Sequence, residues 1–262
     1  ASFMRRRFGR EALELLGEPL LAGIHSGDPE RLSMRATFAR FVEMEERYGS
    51  LIRAMLAARP PKPKGPPPAA FYSLAGGLEE LVRALEGHLP EASVRLGSRV
   101  TALEREGHDY RLALGDGSSL VTPAVVLATP ARAGASLLTT TAPEIGRSLA
   151  AVTFVSTAVV FLGFRREQVR HPLDGYGLLS PRSEGIRTAA MSFFSTKYPG
   201  RAPEGHVLLR GFLGGARDNE VLALSDDELV FRIESLPRDH AHDADLVAVV
   251  RSSRHFFVRQ EA

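Results

Sequence analysis

Along residues 1–58 the apolar positions recur at helical spacing. Leu13, Leu16, Leu20 and Ile24 fall on one face, and Phe38, Phe41, Val42, Tyr48, Ile52, Met55 and Leu56 continue the period. Between the two runs, Gly27-Asp28-Pro29 predicts a turn, with Asp28 as an N-cap and Pro29 at the first helical position. The period stops at PPKPKGPPP (60–68), where seven of nine residues are proline or glycine, the composition of a stiff extended linker. Beyond it, Leu78, Leu81, Val82, Leu85 and Leu89 predict an amphipathic helix. Alternating patterns then predict short strands at Ser93–Leu96, Arg99–Glu104, Tyr110–Leu114 and Leu120–Thr122, with Asp116-Gly117 as a tight turn. The unbroken run Val125–Ala128 reads as a strand buried on both faces. Thr157–Phe164 and Val207–Leu213 are apolar and rich in β-formers. Ser225–Leu236 predicts a helix opened by a capping box of Ser225 and Glu228. Residues 237–262 carry no clear pattern.

The 262 residues suffice for one large domain or two modest ones. An apolar fraction of 44% and a charged fraction of 24% are those of an ordinary globular protein. The net charge of +2 leaves no polycation for nucleic acid to recognise. The one dense basic cluster, Arg5-Arg6-Arg7 with Arg10, reads as a solvated helix face, with anionic lipid as the alternative. The absence of cysteine excludes disulfides, thiolate chemistry and cysteine-held metal centres, and fits a reducing compartment. No apolar run approaches the length that spans a bilayer, and the start ASFMRRRFGR lacks the apolar core of a signal peptide. That start reads as mid-helix, so the chain is expected to be a fragment.

The motifs for chemistry are individually weak. Gly76-Gly77 precedes a helix, where its amides could approach an anion, but a tight helix entry needs the same residues. Val100 in SRVTALE and Ala128-Thr129 at the end of VVLATP stand at strand ends, where open α/β sheets collect ligands. A plain strand end has the same pattern. His240 and His242 lie among Asp239, Asp243 and Asp245, but no second cluster completes a metal site, and none is assigned. There is no Walker loop, no G-x-G-x-x-G and no nucleophile elbow. Tyr176–Leu179, Phe193-Phe194 and Phe212 could line a flat apolar pocket or be ordinary core.

Four longer stretches, taken in order, carry more. EPLLAGIHSGDPERLSMRATFARFVEMEERYGSLIRAML (18–56) resembles the membrane-associated helical segment of protoporphyrinogen oxidases. AFYSLAGGLEELVRAL (70–85) resembles that family's glycine-pair helix. LDGYGLLSPRSEG and FFSTKYPGRAPEGHVLLRGFLGGARDNEVLALSDDELV resemble its substrate domain. The likeness runs from about residue 2 to about 233. It lacks the family's amino-terminal glycine loop and the segment that closes over the flavin. After about Arg232 the sequence diverges, as a shifted reading frame or truncated gene would produce.

The resemblance implies an α+β architecture: an α/β FAD-domain portion, a mixed-sheet substrate domain and a helical membrane-associated domain, incomplete relative to the family fold. The expected layout is helical 1–59, linker 60–68, FAD-domain return 69–150, substrate domain 151–236 and divergent tail 237–262. The activity implied is FAD-dependent oxidation of protoporphyrinogen IX by oxygen, in haem and porphyrin biosynthesis. Coproporphyrinogen III oxidation is the close alternative, and a non-catalytic fragment that binds no flavin is the alternative of another class. By resemblance, Val100, Ala128 and Thr129 contact FAD. Leu179 and Phe212 sandwich the substrate ring, and a further aliphatic position falls on Ser192, a departure from the pattern. No catalytic acid or base is nominated, because the hydride chemistry belongs to the flavin. Porphyrinogen and oxygen are the expected partners, with peripheral contact at the inner face of the cell membrane, a cytoplasmic location, no nucleic acid and room for a homodimer.

Overall fold

The computed structural model of the chain describes residues 1–58, 71–185, 188, 190–216, 218–234 and 246–257. The proline-rich stretch 60–68 and the His240/His242 cluster lie outside the described residues. In chain order the helices and strands are α1 (Ser2–Ala12), a π-turn (Leu13–Gly17), α2 (Glu18–His25), α3 (Met34–Tyr48), α4 (Leu51–Ala57), α5 (Glu79–Glu86), β1 (Val100–Glu106), β2 (Asp109–Leu114), β3 (Ser119–Thr122), α6 (Ala131–Leu137), α7 (Pro143–Ala150), β4 (Thr153–Arg165), β5 (Gly177–Leu179), β6 (Ala190–Phe193), α8 (Phe194–Lys197), β7 (His206–Gly214), α9 (Asp226–Glu234) and β8 (Leu246–Phe257). They form two compact units, Ala1–Tyr72 with Phe154–Ala262, and Ser73–Thr153.

The first unit is built on a five-stranded sheet in the order β5-β6-β7-β4-β8. The long hairpin-like pair β4 and β7 runs antiparallel from Thr157↔Gly214 to Arg165↔His206. Alternation in both strands is clean. Ala158, Val160, Leu162 and Phe164 of β4 meet Leu213, Gly211, Leu209 and Val207 of β7 on one buried face. Met191 and Phe193 of β6 extend that face. Leu229 and Ile233 of α9 cover it, with Val221 from the 3-10 turn Asn219–Ala223 before it, each fully buried, so α9 is held by its apolar side. Each large apolar side chain so buried contributes roughly 1.5–3 kcal/mol.

The start of α9 follows the sequence expectation. The Ser225 N–H donates to a Glu228 carboxylate oxygen (2.7 Å), and the Glu228 N–H donates to Ser225 Oγ (3.2 Å). These bonds from the Ser225 backbone and hydroxyl hold the Glu228 carboxyl below the usual carboxylate range. A reciprocal cap of this kind satisfies two otherwise orphaned donors.

Three expectations in this unit are corrected. Asp28 does not cap a helix and Pro29 does not open one: residues 29–31 form a turn, with the Arg31 N–H bonded to the Asp28 carbonyl (2.9 Å) and the Glu30 N–H to its side chain (3.1 Å). The helix starts later, at Met34, with Ser33 as N-cap accepting from the Ala36 N–H (3.3 Å). The patternless carboxyl-terminal stretch contains β8, which takes the sheet edge beside β4.

The second unit has a meander of β1, β2 and β3, in which Asp116-Gly117 turns β2 into β3 as expected. Gly117 has φ +86°, which an L side chain adopts only with strain, and Asp116 accepts from the Ser118 N–H (2.9 Å). Thr141 Oγ1 donates to the Leu103 carbonyl (2.6 Å), fixing the segment between α6 and α7 to β1. Ser93–Leu96 is not a strand but irregular chain between positive-φ residues Ala92 and Gly97. Val125–Ala128 is also irregular, and Val126 is 91% exposed rather than buried. An apolar run becomes a strand only where a neighbouring strand takes its N–H and C=O groups, and among the described residues none does. The predicted amphipathic helix is present as α5, but Leu78, Leu81, Val82, Leu85 and Leu89 are all exposed.

Candidate functional site

The sheet of the first unit has a second face, opposite the α9 core, and the residues implied to hold substrate gather there. In an antiparallel ladder, residues directly paired point to the same side. One row runs Leu179↔Ala190↔Phe212↔Val159 across β5, β6, β7 and β4. The adjacent row runs Gly177↔Ser192↔Arg210↔Phe161. Leu179 and Phe212 therefore share a row, and Ser192 stands in the next one on the same face. Ser192 itself is buried and its hydroxyl donates to the Tyr176 carbonyl (3.4 Å), so it ties β6 to the entry of β5.

Two structural features shape this face. On one side lies α2, close enough that a Cβ on Gly23 would sit 3.2 Å from Leu179 Cδ2 and 3.5 Å from the Ala190 Cβ. That glycine lets a helix backbone rest directly on the Leu179–Ala190 end of the row. On the other side is an aromatic wall. Phe71 packs edge-on to Tyr176 (5.2 Å between centroids), Phe194 edge-on to Phe161 (5.4 Å) and to Tyr198 (5.2 Å). Gly177 opens β5 with its Cβ position 2.2 Å from the Met191 carbonyl oxygen, so a side chain there would force β5 off β6.

Sequence reasoning missed the two charges on this face. Arg210 is the lone charged residue in VLLRGFL, and its guanidinium carbon lies 4.7 Å from the Phe212 ring centroid and 4.8 Å from that of Phe194. Burial pushes its pKa down. Lys197, at the end of α8, places Nζ 3.6 Å from the Phe71 centroid. Burial first, and then the charge of Arg210, lower its pKa. The signal was available: period two puts Arg210 and Phe212 on one side of β7.

In the second unit, Val100 opens β1 opposite Leu114 and is half-buried. Ala128 and Thr129 are exposed in the irregular segment before α6. The main-chain N–H groups of Val125–Thr129 make no backbone hydrogen bond among the described residues. The Gly76 amide is not open, because it donates to the Glu80 side chain. Among the described residues there is no His, Asp and Glu cluster able to hold a metal ion.

Residues 1–239 match the family described as flavin containing amine oxidoreductase. The chain is 35% identical over 236 residues to the coproporphyrinogen III oxidase of Bacillus subtilis, covering 87% of this chain and 49% of that protein. It is 31% identical over 258 residues to the chloroplastic protoporphyrinogen oxidase 1 of Arabidopsis thaliana, covering 90% and 47%. The fold matches the crystal structure of a putative protoporphyrinogen oxidase from Exiguobacterium sp. 255-15 with a TM-score of 0.82 at 28% identity, over 98% of this chain and 55% of that one. The chain thus spans about half the length of the curated relatives it matches.

Proposed function

We propose a porphyrinogen-oxidising flavoenzyme, on the premise that this chain belongs to the family of flavin containing amine oxidoreductases. Its part in that enzyme is to carry the substrate-facing sheet and a portion of the cofactor-binding unit. The observation that carries the reading is that Leu179 and Phe212 share one row of this sheet face, with α2 covering Ala190 between them and aromatic rings on the neighbouring row. A porphyrinogen is a broad apolar ring system with carboxylates at its rim. Area burial against Leu179 and a ring face on Phe212 suit its centre.

FAD, when bound, supplies the hydride-accepting chemistry, and oxygen reoxidises it. The residues present fit such a group at one end: Val100, with the exposed Ala128 and Thr129, whose N–H groups make no backbone bond among the described residues, would hold it. The sheet face orients the ring and excludes water from it. No side chain on that face is assigned an acid or base role.

Protoporphyrinogen IX is the substrate favoured here. Coproporphyrinogen III is kept as the second reading because the 35% identical relative bears that name. The test is to mix the complete oxidase containing this chain with each colourless porphyrinogen in air and follow porphyrin fluorescence. We expect turnover of at least one and a flavin absorption spectrum from the purified protein. A colourless protein that turns over neither overturns the reading in favour of a non-catalytic product.

Peripheral membrane contact on the cytoplasmic side belongs to the same proposal, as does room for a homodimer. Its support is the exposed apolar set Leu16, Leu20, Ile24, Ile52, Met55 and Leu56 in the helical segment. No helix among the described residues is long and apolar enough to cross a membrane. The chain is expected to co-sediment with vesicles of anionic phospholipid, and changing Leu16, Leu20 and Ile24 together to serine should release it. Equal sedimentation of both proteins would count against this face.

A further inference from the structure

We propose that Arg210 and Lys197 form a carboxylate-binding site on the same sheet face, placed to receive an acidic rim substituent of a ring stacked on Phe212. The inference rests on the porphyrinogen reading for the identity of the ring and adds where its charge is held.

The argument starts from what an arginine in the middle of β7 requires. A guanidinium has two kinds of surface: a flat π-face that stacks on aromatics, and a planar fork of N–H donors around its edge. The Phe194 and Phe212 centroids, within 5 Å of the guanidinium carbon, and Phe161 at 6.0 Å interact with the cation as a whole. Rings do not satisfy the in-plane donors. Arg210 Nε is buried with no hydrogen-bond partner. Among the described residues no carboxylate pairs with Arg210 or with Lys197. A buried charge left with an unfilled donor is costly, and a merely structural arginine at this position would ordinarily carry an internal acceptor.

Lys197 makes the arrangement more specific. Its ammonium is held on Phe71 and Tyr198, and Tyr198 packs on Phe194, the ring against which the Arg210 guanidinium lies. Two cations drawn toward one another without an anion oppose folding. One carboxylate converts that repulsion into two attractions, taking a bidentate pair from the guanidinium fork and a point charge from the ammonium. Phe212 fixes the geometry from the ligand's side. The same ring lies beside Arg210 and in the Leu179 row, so a ring system on that row carries its rim past the guanidinium.

The experiment measures binding of a porphyrin dicarboxylic acid and of its dimethyl ester to the full chain, by porphyrin fluorescence. The unaltered chain should bind the acid at least about 10-fold more tightly than the ester, the scale of a hydrogen bond to a charged group. Arg210→Met should remove most of that preference while leaving ester affinity in place, and Arg210→Lys should restore part of it. Lys197→Gln, at the end of α8 and only half-buried, should reduce the preference by itself. Equal binding of acid and ester by the unaltered chain overturns the proposal and leaves the ring reading standing. So does a preference that survives both Arg210→Met and Lys197→Gln. Failure to bind either compound sinks both the carboxylate site and the porphyrin reading of this face.

Discussion

Gly211→Ala should lower the unfolding free energy by about 1–3 kcal/mol, the range for overpacking a filled core. A Cβ at Gly211 would lie 2.3 Å from Cδ1, 2.8 Å from Cγ2 and 3.0 Å from Cγ1 of Ile233. Those three atoms belong to one fully buried, β-branched side chain that is stiff at χ1, so no rotation clears all of them. The remaining relief is to move α9 off the sheet, which would uncover Leu229 from the same core. Valine, with two further methyl groups, should cost more than alanine. The compensating partner is specific. Ile233→Ala alone should cost about 2–5 kcal/mol through the cavity it leaves, and the Gly211→Ala methyl would occupy part of that space. The double variant should therefore be less destabilised than the sum of the singles by roughly 0.5–3 kcal/mol. Strict additivity in urea unfolding would mean that the close approach of β7 and α9 does not set the stability of this core.

The same position shows what the sequence makes legible. The run VLLRGFL announces a strand, and its period of two separates Val207, Leu209, Gly211 and Leu213 from Leu208, Arg210 and Phe212. Which side faces α9 is not local information. It is fixed by pairing with β4 some fifty residues earlier, and by a helix whose apolar stripe must be covered. The capping box at Ser225 was readable because it is complete within four residues. Asp28 shows the converse: Asp-Pro satisfies both a cap and a turn, and the better cap, Ser33, stands five residues on. Val125–Ala128 has strand composition, but a strand is a relation between two segments, and no described neighbour supplies the second.

The candidate site divides along the same line. Leu179 and Phe212 could be nominated from short matching stretches, yet their shared row depends on register across three strands. Ser192, a departure from the pattern, takes the neighbouring position and points its hydroxyl at Tyr176, so the face continues without an aliphatic residue there. Arg210 stands in the sequence as a charge in a core-like run, which alone assigns it no role. Its meaning needed three dimensions, because only the packed structure shows aromatic rings filling its surroundings and no acceptor reaching Nε.

Phe212→Ala should reduce kcat/KM for porphyrinogen by about 100-fold in the complete oxidase. Burying an aromatic side chain against a ligand contributes roughly 1.5–3 kcal/mol, and the face-to-ring interaction adds about 0.5–1.5 kcal/mol. On the proposed reading Phe212 holds the ring and takes no part in the hydride chemistry, so most of the loss should appear in KM, with kcat changed much less. Phe212→Leu separates the two contributions. It keeps most of the apolar area but has no flat face, so its loss should fall between those of wild type and alanine. Phe212 also lies 4.7 Å from the Arg210 guanidinium carbon, so the alanine variant frees that side chain to move. The acid-over-ester preference should therefore weaken in Phe212→Ala, whereas Leu179→Ala, in the same row but three strands' width from Phe161, should weaken ring binding and leave the preference intact. If Phe212→Ala keeps a wild-type KM, or if its defect lies in kcat alone, the ring does not rest on this row and the substrate must be sought elsewhere.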